Sequence, residues 1–195
     1  MKPAKQRSDI RYTSYEDFGR RFFEHAVTVE RVSSSFDQIA GSKFDFGPIG
    51  VGPGKLAKVS AKVELGEPRL EREEKECITF ELVVPLTIDL TIDLQLDKHR
   101  FDVSGEIYLH LTARAAEPLK LIIDVDEPST RDVKIDVSPE TFRGALVRII
   151  ASVDLEIKRF IAKYVAKEIR KPEIEKAREI DLAARIDAAW EHQHV

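Results

Sequence analysis

The stretch from Ile78 to Leu96, ITFELVVPLTIDLTIDLQL, carries an apolar residue at every even position and mostly polar residues at the odd ones. Alternation with a period of two marks a strand with one buried face and one solvated face. Ordinary strands run about 5–6 residues. The nineteen residues here would reach roughly 60 Å if straight. A chain of 195 residues compacts to a diameter nearer ~35 Å. The strand must therefore bend or break. Pro85, on the polar face, is the candidate break, because proline lacks the ladder donor.

The same alternation extends on both sides. Ala57, Val59, Ala61, Val63 and Leu65 oppose Lys58, Ser60, Lys62 and Glu64. Phe101, Val103, Gly105, Ile107, Leu109, Leu111 and Ala113 share one face of a return strand. With a turn at Asp97–Arg100 and Leu96 facing Phe101, Leu94 meets Val103, Leu90 meets Ile107 and Ile88 meets Leu109. A one-residue slip would expose the whole apolar set. Two further strands follow, around Leu119–Val125 and Val133–Val137. Gly47 to Gly54 holds four glycines in eight residues. It leads into a strand rather than a helix, so it predicts a bend between strands and not a phosphate loop. Glu71–Glu76 reads as a charged hairpin tip.

Helices flank the sheet. Ser14 before Tyr15-Glu16-Asp17 is a capping signal, with Phe18, Phe22 and Ala26 on one face. Thr28 caps a second helix carrying Val32, Phe36 and Ile39 and stopped by Gly41. Ser138-Pro139-Glu140 opens a long one, with a continuous apolar stripe from Phe142 to Ile169, and Pro172 ends it. Glu173–Trp190 reads as a last, alanine-rich helix. The expected layout is one domain: tail 1–13, N-terminal helices 14–41, antiparallel sheet 43–137, long helix 139–171 and terminal helix 173–190. The fold class is α+β. A long curved antiparallel meander wraps around the long C-terminal helix, after short N-terminal helices.

The segments that carry this order are ITFELVVPLTIDLTIDLQL, FDVSGEIYLHLTARA and FRGALVRIIASVDLEIKRFIAKYVAKEI. The pattern resembles the tubular lipid-binding (TULIP) superfamily, which includes bactericidal permeability-increasing proteins and SMP lipid-transfer domains. It also resembles the START and pollen-allergen helix-grip family. Either resemblance implies a lipid or other elongated hydrophobic ligand held between helix and sheet. A count of side chains points the same way. The strands offer more one-sided apolar residues than one helix stripe covers. The candidate lining is Leu86, Ile88, Leu90, Ile92, Ile107, Leu109, Leu111, Ile149, Val153, Ile157 and Phe160. The same count also fits a filled core, in which case the protein is a non-enzymatic interaction module.

The histidines His25, His99, His110, His192 and His194 form no helical metal pair with a carboxylate, so no metal or cofactor is expected. Cys77 is the only cysteine and lies beside glutamates, which disfavours a reactive thiolate. Asp89, Asp93, Asp102 and Glu106 share the polar strand face and read as solvated charge rather than an acid–base pair in a cleft. An enzyme is not expected. A net charge of −4 argues against nucleic acid as the main partner. The basic residues gathered toward the end of the long helix fit its dipole; an anionic membrane surface is the second reading of them. The N-terminus, MKPAKQRSDIRYTS, has no apolar h-region, and a lone cysteine suits a reducing cytoplasm. The oligomeric state stays open, a homodimer included.

Overall fold

The structure is a computed structural model that describes residues 10–74, 77–136 and 145–191. It is α+β, with a strongly curled antiparallel sheet forming a half-barrel, short N-terminal helices and a long C-terminal helix. The strands are β1 (Lys43–Val51), β2 (Ala57–Leu65), β3 (Arg69–Glu74), β4 (Ile78–Asp93), β5 (Lys98–Ala116), β6 (Lys120–Val125), β7 (Val133–Asp136) and β8 (Glu179–Asp181). The helices are α1 (Tyr15–Ala26), α2 (Val29–Ser33), α3 (Ala145–Ile169), α4 (Pro172–Ala177) and α5 (Leu182–Glu191).

Two long central strands, β4 and β5, set the scale, at 16 and 19 residues. Each has its outer edge shared by two shorter strands. Along β4 lie β2 and then β3, both antiparallel to it. Their partner numbers sum to 151 (Lys58 with Asp93) and 152 (Arg69 with Val83), so the register slips by one residue at Gly66–Pro68. That slip reverses which side chains face inward. Odd residues of β2 are buried, whereas in β3 it is Leu70 that packs on the core.

Pro85 does not break its strand. Its carbonyl accepts from the Gly66 N–H at 2.8 Å, just where β2 gives way to β3. A residue's N–H and C=O point to the same strand edge, so the missing donor faces this gap and β4 loses no bond to β5.

The hairpin between β4 and β5 turns earlier than the pattern predicts. Leu94 N–H donates to the Asp97 carbonyl at 2.8 Å, and the Asp93 carboxylate accepts from Gln95 N–H at 2.9 Å. Gln95 takes a positive φ of 72°. Aspartate turn chemistry therefore places the reversal at Leu94–Asp97 instead of Asp97–Arg100. Ile88 pairs with Val103 and Leu90 with Phe101, six residues from the expected register. Six is even, so every side chain keeps its expected face, and Leu96 is left exposed.

Two other expectations are corrected, and the bend expected at the glycine run is narrowed to its second half. Glu71–Glu74 belongs to β3 rather than a hairpin tip; residues 75 and 76 lie outside the described residues. The glycine run holds the end of β1 with a bulge between Phe46 and Ile49, followed by a short 3-10 turn at Pro53–Lys55. Gly47 has φ +85°, and a Cβ there would sit 2.5 Å from the Val59 carbonyl, so the bulge requires glycine. The terminal helix is broken. Pro172 opens α4, Ile180 then pairs with Leu121 in β8, and Asp181 accepts from Ala184 N–H at 3.0 Å to start α5. Residues 139–144, the expected start of the long helix, lie outside the described residues.

The N-terminal caps occur as read. Ser14 accepts from Asp17 N–H and Thr28 from Arg31 N–H. The second helix is shorter than expected, since α2 ends at Ser33 and a 3-10 turn (Asp37–Ile39) carries the chain onward. Val32, Phe36 and Ile39 are buried, but α1 buries no residue and Phe18 is 61% exposed.

Candidate functional site

The concave face of the sheet is built by alternation. Even residues of β4 and odd residues of β5 point inward, and Leu86, Ile88, Leu90, Ile92, Ile107, Leu109 and Leu111 are all buried. Among the described residues no polar or charged one is buried.

Helix α3 closes the open side of this trough. Val153, Ile157, Ile161, Val165 and Ile169 recur every four residues and are all buried. Such a ridge is inclined to the helix axis by about 26°, which lets it follow a curled sheet. Its flank meets β1 through aromatic rings. Phe44 stacks on Tyr164 with centroids 3.7 Å apart, and Phe46 meets Phe160 edge-on at 5.0 Å. Burial pushes the Tyr164 hydroxyl pKa up. Beyond α3, Arg178 locks the C-terminal junction. Its guanidinium donates to the carbonyls of Ile169, at 2.8 Å, and Ile123, at 3.3 Å, tying the end of α3 to β6.

Among the described residues, an apolar cleft lies between helix and sheet. It is lined by Val59 of β2, Ile88, Leu90 and Ile92 of β4, Val103 of β5, Ile135 of β7, and Val153, Asp154 and Ile157 of α3. The volume open to the centre of a water molecule is about 20 Å³, room for about one water. Asp154 is its only charged group, and Lys158 holds that carboxylate at 2.8 Å.

The structure thus brings together five of the expected lining residues: Ile88, Leu90, Ile92, Val153 and Ile157. Leu86, Ile107, Leu109 and Leu111 belong to the same core but not to this cleft, and Ile149 is half-buried against it. Phe160 sits in the aromatic seam with β1 instead. Val59, Val103 and Ile135 were legible as inward strand residues, but nothing in the alternation singles them out as cleft lining. Asp154 lies one position past an inward residue of the stripe, where a pattern of apolar residues gives no signal. The polar strand face carries its charges outside. Asp89 lies opposite Asp102, and Glu106 is held by Tyr108 and Arg69.

No protein-family model matches the chain, and no curated protein matches it. Among solved structures it is similar to a crystal structure of lipopolysaccharide binding protein, with a TM-score of 0.36 and 10% identity. The match covers 80% of this chain and 39% of that one, so the chain spans about two fifths of that protein's length. A likeness of this size carries no ligand across. Among the described residues no helix is long and apolar enough to cross a membrane.

Proposed function

We propose that the protein binds an elongated hydrophobic molecule, such as a lipid acyl chain, between α3 and the concave sheet. The observation that carries this reading is the apolar cleft at Val153 and Ile157, with the Asp154–Lys158 pair beside it. An apolar slot with a few polar groups is the usual make-up of a ligand site. About 20 Å³ is far below the roughly 300–1,000 Å³ of such sites. On this reading the N-terminal half of α3 moves outward to admit the ligand, while its aromatic seam with β1 acts as the hinge side. The element order shared with the TULIP pattern supports the same reading. The protein acts as a binder or carrier rather than an enzyme, and it works in the cytoplasm, where the exposed thiol of Cys77 stays reduced.

The small volume favours one other reading, a filled core whose outer surfaces bind a protein partner. Uptake of a fluorescent fatty acid separates the two. Wild-type protein should take up the probe, and Val153→Trp should abolish uptake with the fold intact. An absence of uptake by wild-type protein, with Val153→Trp destabilised by roughly 1–3 kcal/mol through overpacking, would establish the filled core.

A further inference from the structure

A second ridge of α3 faces away from the sheet. Leu155, Arg159, Lys163 and Lys167 follow one another at four-residue spacing, and the three cations, with Lys171 just past the end of the helix, line an open groove of about 760 Å³. Ala162 and Ala166 contribute small side chains between the cations, and the Glu127–Thr130 loop forms the opposite wall. That loop is the excursion that separates β6 from β7. Asp126 N–H bonds to His110 and Tyr108 N–H to the Asp132 carbonyl, so its two ends stay on β5 while its middle stands out beside α3.

The charges in the groove are not balanced. Glu127 is the only acid in its lining and pairs with Arg170. Arg159 pairs with Glu156, and Lys171 with Glu168. Lys163 and Lys167 are exposed and have no ion-pair or hydrogen-bond partner among the described residues. They stand one helical turn apart, about 6 Å along the axis. On a chain of net charge −4 this concentration of unpaired positive charge is local.

We propose that this groove seats the phosphate groups of an anionic membrane lipid. Flexible lysine ammonium groups are point charges suited to headgroup phosphates, whereas a free phosphate favours enclosing arginine forks and backbone N–H groups. Leu155, 50% exposed, continues the ridge one turn before Arg159. An apolar side chain at the end of a basic ridge is the arrangement of a helix lying at headgroup depth. Nucleic acid fits less well. The lining holds no aromatic ring on which bases could stack, and the net negative charge repels a polyanion at longer range. No residue of the groove lines the apolar cleft, so this site stands or falls apart from the hydrophobic-ligand reading.

The test is co-sedimentation of the full chain with phosphatidylcholine vesicles prepared with and without phosphatidic acid. Wild-type protein should pellet only with the phosphatidic acid vesicles. The double variant Lys163→Gln/Lys167→Gln should bind about thirtyfold more weakly, at roughly fivefold per lysine. The control Lys58→Gln/Lys62→Gln removes the same charge from the convex sheet face and should bind as wild type does. Both variants change exposed side chains, and unaltered melting midpoints confirm intact folds. Equal losses in the two variants, undiminished binding by the groove variant, or no binding by wild-type protein would overturn the proposal. So would inorganic phosphate shifting the Lys163 and Lys167 ammonium resonances without vesicles and displacing the protein from them, or tighter binding to single-stranded DNA than to vesicles.

Discussion

Arg178 shows how one side chain can hold a junction between elements. It donates to carbonyls of α3, α4 and β6, while its own carbonyl accepts from Ile123 N–H at 2.9 Å. Burial pushes the guanidinium pKa down, yet arginine stays charged throughout the accessible pH range. Arg178→Met keeps the aliphatic stem but removes the guanidinium donors to the Ile169 and Ile123 carbonyls, whereas the Ile174 carbonyl keeps the Arg178 backbone N–H. It should cost about 1–3 kcal/mol, read from the urea midpoint. On the convex face, the Tyr108 hydroxyl, with the Arg69 guanidinium next, holds the Glu106 carboxyl below the usual glutamate range. A carboxylate depressed in the folded state adds stability above its unfolded pKa, and that stability is lost as pH falls through the folded value. The group is exposed and its ion pair is worth little, so the sensitive measurement is the titration itself. Tyr108→Phe should move the Glu106 midpoint upward in a carboxyl-carbon NMR titration; an unmoved midpoint would assign the depression to Arg69 alone.

Among the elements, β7 depends on one close approach. A Cβ at Gly105 would stand 2.5 Å from the Lys134 carbonyl and 3.4 Å from the Ile135 Cα. The contact is backbone against backbone, so no rotamer change relieves it. Gly105→Val should detach β7 from β5 while leaving the β4–β5 hairpin in place. Hydrogen exchange should then accelerate across Val133–Asp136 and stay slow in the middle of β4. Slow exchange in both would show that the strands separate slightly and keep their ladder. The hairpin itself is robust to its unexpected turn. A shift of six residues keeps every side chain on its expected face and leaves only the turn residue Leu96 fully exposed, so the apolar pattern permits either turn and the aspartate hydrogen bonds choose between them.

For the molecule as a whole, the question is how tightly α3 fits its trough. The cleft beside Val153 has room for about one water molecule. Val153→Ile adds a single methylene at that point. If the helix rests in the closed position, the variant should be stabilised by up to about 1 kcal/mol, seen as a rise in melting midpoint, and should take up a fatty-acid probe less readily. A fall in midpoint would mean that the cleft collapses and has no space to give.

The sequence by itself determined the faces. Alternation in Ala57–Leu65, Ile78–Leu96 and Phe101–Ala113 identified the inward residues, apart from Leu96, which the turn leaves exposed, and the caps at Ser14 and Thr28 placed two helix starts. These are local properties, set by the geometry of strand and helix and by the chemistry of a few side-chain oxygens. Only the tertiary structure decided the register of β4 against β5, the slip between β2 and β3, and the short strand β8 inside a helix-like stretch. Each depends on which backbone groups find partners across the fold. A free edge at Leu121 recruits Ile180 although its neighbours favour helix. The candidate site follows the same division. Its apolar character was legible, but the choice of Val59, Val103 and Ile135 over Leu109 and Leu111 depends on where α3 crosses the curled sheet, a packing property that no stretch of sequence carries alone.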